Sequence, residues 1–140
     1  MKWLINARAK YIWLALLILR LGIGFSFIYA HGYAKISHPE KWAKYGGNMQ
    51  LIHLDFAAGF WGFMAAYAEF FGAIFIGIGL FTRVHAGLLA FTMFIAFLTG
   101  IPKGEFNSHA FEVGMVFIAL LIAGPGKYSL DARFGGFRSA

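Results

Sequence analysis

The chain has 140 residues, of which 60% are apolar, 19% aromatic and only 13% charged. Soluble domains carry about 25% charged residues, so these are too few to cover a water-facing surface. The formal charge of +6 lies in flanks and loops between apolar runs, which argues against a nucleic-acid partner and for topology signals and lipid-headgroup contacts.

Lys2, Arg8 and Lys10 precede the first apolar run, Tyr11–Ala34, in the manner of a signal peptide. The run is too long for a signal core, is interrupted by Arg20 and has no small-residue cleavage site, so it is read as a membrane span. The long loop Lys35–Asp55 follows. In it Ser37-His38-Pro39-Glu40-Lys41 looks like a helix start and Tyr45-Gly46-Gly47 like its stop, with Trp42 and Tyr45 suited to the headgroup level. The second span, Phe56–Phe81, is joined to the third, Val84–Ile101, only by Thr82-Arg83, which predicts a tight antiparallel hairpin. Gly100-Ile101-Pro102 closes the third span, and Gly124-Pro125-Gly126 closes the fourth, Phe106–Ala123. A helix needs about 20 apolar residues to cross the bilayer core; the last two runs are near the short end of that range.

Continuous apolar runs without strand alternation favour helices over a barrel. The expected fold is therefore all-α, an integral membrane four-helix bundle forming a single domain over 1–140. Four spans put both termini on one side. That side holds Lys2, Arg8, Lys10, Arg83, Lys127, Arg133 and Arg138, against Lys35, Lys41, Lys44 and Lys103 on the other. The excess of basic residues places both termini in the cytoplasm.

Three ionisable residues fall deep in the spans: Arg20, Glu69 and Glu112. At about 1.5 Å per residue they lie about 14, 18 and 16 Å from the cytoplasmic end, which predicts one charged layer with a buried Arg–Glu pair. One arginine cannot neutralise two carboxylates, so one glutamate is expected to hold a proton in the resting state. Helical phase sets Arg20, Gly24, Phe27, His31 and Lys35 on one stripe. It sets Ala58, Gly62, Ala65, Glu69, Gly72 and Ala73 on a second, and Glu105, His109, Glu112, Val116 and Ala119 on a third. A second polar cluster is expected at the far end from His31, Lys35, His53, Asp55 and His109. His85, beside Arg83, reads as interfacial. Neither HExxH nor ExxH spacing occurs, so haem and metal are set aside and no metal ligand is assigned. Cysteine is absent, which leaves any redox role to a bound cofactor, a quinone or a partner.

The run Leu19-Arg20-Leu21-Gly22 with His31-Gly32 and Lys35 resembles the first helix of the DoxX family. Glu69-Phe70-Phe71-Gly72 followed by Gly79-Leu80-Phe81-Thr82-Arg83 resembles its second helix and turn, and Gly124-Pro125-Gly126-Lys127-Tyr128-Ser129-Leu130-Asp131 its ending. The resemblance runs from about Leu17 to Asp131. It implies a small four-helix protein of the bacterial inner membrane, related to a subunit of thiosulfate:quinone oxidoreductase. Arg20, His31, Lys35, Glu69 and Glu112 carry over as polar positions.

The leading expectation is a membrane subunit of a redox complex that binds quinone. Arg20, Glu69 and Glu112 are the candidate catalytic residues, and Arg20, His31, Lys35, Glu69 and His109 line the cofactor site. Arg20 would steady the charge of the reduced ring, a glutamate would deliver a proton, and His31 or His109 would bond a ring oxygen. Membrane lipids and protein subunits of the complex are the expected partners, a further copy of the chain among them. Two other classes fit the same sequence: a non-enzymatic accessory or assembly subunit, and a small-solute or proton transporter.

Overall fold

The computed structural model describes residues 9–135. Lys2, Arg8 and Arg138, which entered the orientation count, lie outside the described residues. Helix α1 runs from Ala9 to Phe27 and continues through a π turn, Ile28–Gly32, and a last α turn, Tyr33–Ile36. The loop that follows is ordered as a 3-10 turn Pro39–Lys41, a short helix α2 (Trp42–Gly46) and a second 3-10 stretch Gly47–Ile52. Helix α3 has the same build as α1, with Ala58–Tyr67 and Ala73–Ile78 on either side of a π turn Ala68–Gly72. Helix α4 (Thr82–Leu98), α5 (Ser108–Ala123) and a terminal turn α6 (Leu130–Phe134) complete the chain. The described residues contain no strand.

Among the described residues, three stretches are long and apolar enough to cross a membrane: Tyr11–Ile36, Ala58–Ile78 and Thr82–Lys103. The 21 residues of the second rise about 31 Å, matching a hydrocarbon core of about 30 Å. Helix α5 is apolar but has only 16 residues, about 24 Å. Its start is fixed by Asn107, whose side chain accepts from Ala110 N at 3.1 Å. The outer faces carry large exposed side chains, among them Phe25 (71%), Tyr29 (81%) and Ile122 (73%), far more than a water-facing helix tolerates. The core draws on all four long helices: Phe27, Ala68, Ala73, Ile76, Ala86, Leu89, Met93, Phe117 and Leu120.

The described boundaries correct one expectation. Thr82 and Arg83 are not the link between spans but the first turn of α4, and the turn itself is Gly79-Leu80-Phe81. The reason lies about fifty residues away in sequence. The Asp131 carboxylate accepts from Phe81 N (2.7 Å) and Thr82 N (2.9 Å), satisfying two of the free N–H groups at the start of α4. The loop's α-helix ends at Gly46, as the Tyr45-Gly46-Gly47 run leads one to expect, and the chain goes on in 3-10 form to Ile52. Gly46 also serves contact: a Cβ there would collide with the backbone of Ala58 and Gly62, and one on Gly62 with the backbone of Trp42. The loop is thus pressed backbone to backbone onto the first half of α3.

Candidate functional site: a buried lysine–glutamate pair beside an apolar cavity

Glu69 sits in the π turn of α3 and is 1% exposed. The extra residue of a π turn breaks the α phase, so Ala68 and Glu69, though adjacent, both face inward. Across from it, in the π turn of α1, Gly32 lies against the backbone of Glu69 and Phe70; a Cβ at Gly32 would come 2.7 Å from Phe70 Cα. This close approach brings the last turn of α1 over Glu69. Lys35 Nζ then reaches Glu69 Oε1 at 2.6 Å, a charge-assisted contact that compensates an otherwise costly buried carboxylate. The loop holds the lysine in place. Trp42 Nε1 donates to Lys35 O at 2.8 Å, and the Lys35 ammonium lies 5.2 Å from the centroid of the Tyr45 ring.

Beside this pair is a cavity of about 140 Å³. Trp61, Ala65 and Glu69 of α3, Leu88, Thr92 and Ile95 of α4, and Tyr45, Asn48 and Met49 of the loop belong to its lining, with Lys35 at one edge. Two buried polar atoms on these residues have no hydrogen-bond partner among the described residues: Glu69 Oε2, an acceptor, and Trp61 Nε1, a donor. They belong to one helix, about two turns apart. Thr92 Oγ1, by contrast, is engaged with Leu88 O at 2.9 Å. An apolar chamber with a few convergent polar groups is the usual form of a small-molecule site.

Of the residues expected to bind a cofactor, Lys35 and Glu69 meet directly. His31 and His109 pair with each other, ring centroids 5.5 Å apart, with His31 also against Phe27 at 5.2 Å. His31 lies within electrostatic reach of both Lys35 and Glu69. His53 and Asp55 are exposed and do not line the cavity. His85 is buried rather than interfacial, stacked on Phe75 at 4.6 Å, with Nδ1 3.1 Å from Phe81 O.

The expected layer of Arg20, Glu69 and Glu112 does not form. Arg20 is fully buried, but its guanidinium donates to carbonyls: Ile76 O (3.3 Å), Gly77 O (3.4 Å) and Tyr128 O. Ile76 and Gly77 belong to the last turn of α3, whose carbonyls carry the negative end of the helix dipole; Ile76 O also accepts from the capping Gly79 N. Arg20 therefore closes α3 and ties it to the chain's C-terminal segment. Counting depth from each helix start misplaced it. Packing of Gly24 on Ala73 and Gly77, and of Gly32 on Glu69, sets Arg20 beside the end of α3 and Lys35 beside its middle. Glu112 is exposed on α5, whose buried face is Ala110, Gly114, Phe117 and Leu120. Gly114 packs against Met93, and this smaller, apolar face wins over the His109/Glu112 stripe.

The same end of the bundle explains the remaining shared runs. Gly79 has φ +73° and leaves no room for a Cβ beside Arg20 and Ser129, so glycine is required there on both counts. Asp131 N donates to Gly79 O at 2.8 Å, and Ser129 Oγ accepts from Ala132 N at 3.1 Å to start α6. Sequence reading missed Trp61 and Asp131 as contributors. Trp61 had one legible signal, its position one turn before Ala65 and two before Glu69 on the inward stripe.

Membrane-length helices enclosing a buried ion pair define a multi-pass membrane protein. The sequence model of the DoxX family matches residues 15–102, well over half the chain, and the chain belongs to the DoxX family. The match takes in Arg20 and the Lys35–Glu69 pair and ends before α5, so the Gly124–Asp131 run lies outside it. No curated protein and no solved structure matches the chain.

Proposed function

We propose that this protein is the membrane subunit of a bacterial redox complex, and that its cavity receives the ring of a quinone or a similarly apolar redox partner. The observation that carries this reading is the pair of unengaged buried atoms, Glu69 Oε2 and Trp61 Nε1, lining an otherwise apolar cavity of about 140 Å³. A cavity of about 150 Å³ holds one benzene ring, so the bare ring matches it in size and its substituents and tail would extend along the helices. When bound, a quinone supplies two-electron chemistry, which a chain without cysteine, among its own thiols, lacks. The protein's part is to hold the ring: the Trp61 N–H donates to a ring oxygen, Glu69 offers a proton-accepting oxygen, and Lys35 balances its charge. Filling the cavity should abolish binding. Ala65→Phe is expected to weaken duroquinone binding in detergent by at least about tenfold, each buried CH₂-sized overlap being worth about 1 kcal/mol or more. Unchanged affinity in a folded Ala65→Phe protein would refute the assignment.

The seat we propose is the inner membrane, with α5 as a fourth span and both termini cytoplasmic. Arg83 Nη2 donates to Ile122 O at 3.3 Å, which joins the start of α4 to the end of α5 and makes them antiparallel neighbours. A shortfall of several Å in α5 is the kind that local thinning accommodates. The absence of cysteine allows a direct check. Lys103→Cys should react with an impermeant maleimide applied to intact cells, and Lys127→Cys only after lysis. The reverse pattern would invert the topology, and equal labelling from outside would remove the fourth span.

A further inference from the structure

We infer that the cavity is a site for a hydroxyl-bearing ring, a hydroquinone or phenol, and binds it in preference to the oxidised quinone. The inference rests on the reading of the cavity as a ring site and adds which chemical form it takes. The polar inventory of the lining is asymmetric. Lys35 is committed to Glu69 Oε1 and lies over Tyr45, and Thr92 Oγ1 to Leu88 O. Among the fully buried atoms of the lining, one donor, Trp61 Nε1, and one acceptor, Glu69 Oε2, remain unengaged; the half-buried Tyr45 and Asn48 stand at the loop side of the cavity. With Oε1 paired to a lysine at 2.6 Å, the Oε2 of the same carboxylate can only accept.

An oxidised 1,4-quinone has two oxygens that also can only accept. One of them suits Trp61, but neither can satisfy Glu69 Oε2, and a ring oxygen placed there would face another acceptor. A hydroquinone satisfies both: one oxygen accepts from Trp61, and the opposite O–H donates to Glu69. Hydrogen bonds to charged groups are the strong ones, and leaving a buried charged acceptor unmet is the costlier alternative. A site built for a hydroxyl rejects the analogue lacking it by far more than a methyl-sized misfit does.

The test compares three probes of one shape on the intact wild-type protein in detergent, under argon, by titration calorimetry: durohydroquinone, duroquinone and 2,3,5,6-tetramethylphenol. The first and third should bind at least about tenfold more tightly than the second. For a two-electron couple, tenfold corresponds to a bound midpoint raised by about 30 mV. The phenol matters because it carries the hydroxyl but has no quinone form to cycle with. Glu69→Gln introduces donors at the same place and should erase the preference, whereas Trp61→Phe should weaken durohydroquinone and duroquinone, each with an oxygen that accepts from Trp61, and leave the phenol, whose single oxygen faces Glu69, little changed. Equal binding of the three, or tighter binding of duroquinone, would overturn the inference and leave a ring site standing. Binding of none of them would mean a cavity that holds water only, and would overturn the ring reading as well. A preference that persists in Glu69→Gln would remove Glu69 as its source.

Discussion

Lys35→Met is expected to be among the most destabilising single substitutions in this chain, costing about 3–5 kcal/mol. Methionine retains most of the lysine's apolar stem, so the change is chiefly the loss of charge. It strands Glu69, 1% exposed, with neither of its carboxylate oxygens partnered among the described residues. The compensating change is Glu69→Gln in the same chain. If the damage comes from an unmatched charge, the double variant should recover most of the lost thermal stability in detergent. If it comes from lost packing, the two losses should add. A Lys35→Met protein that melts like the wild type would show that the pair contributes little to the fold.

Arg20→Met is expected to act at the opposite end of the bundle. Three carbonyls lose the guanidinium at once, of which Ile76 O keeps Gly79 N as a donor, and an unmet buried group costs about 1–3 kcal/mol. The segment carrying Tyr128, Ser129 and Asp131 should then open more often, freeing its backbone for tryptic cleavage at Lys127 and Arg133, whose side chains are exposed already. Cleavage that follows the open population should rise by at least about tenfold. Arg20→Lys should restore only part of the protection, because an ammonium lacks the planar fork that reaches carbonyls on two segments. Ring binding at Lys35–Glu69 should persist in any Arg20 variant that keeps α3 intact. Loss of ring binding at full tryptic resistance would return Arg20 to the site from which the geometry removes it.

These two residues show where the sequence was readable and where it was not. The buried stripe of α1, Arg20 with Gly24 and Phe27, was legible because helical phase and residue size agree there. The partner of each charge was not. Partnering depends on the axial offset between helices, and glycines announce that backbones approach without saying which residues they meet. Sequence reading places Lys35 in the far-end polar cluster and Glu69 in the charged layer, and both at one cofactor site, but it is the offset that makes them a direct pair. On α5 the error was of another kind. His109 and Glu112 drew the eye to a polar face, while Ala110 and Gly114, spaced by four, marked the packing face. The start of α4 was beyond local reading altogether, since the groups that fix it belong to Asp131.

The backbone contact between the loop and α3 has a bearing on how anything reaches the cavity. With Gly46 and Gly62 leaving no gap between the segments they join, traffic along that seam is closed. Of the cavity's lining residues only Phe91 is exposed, at 43%, and it lies midway along α4. On the ring-site proposal, entry beside Phe91 would face acyl chains, and the leaflet would become a two-dimensional reservoir. Arrival would then be governed by partitioning from water into lipid, so that lengthening an isoprenoid tail would raise occupancy without adding one contact inside the protein.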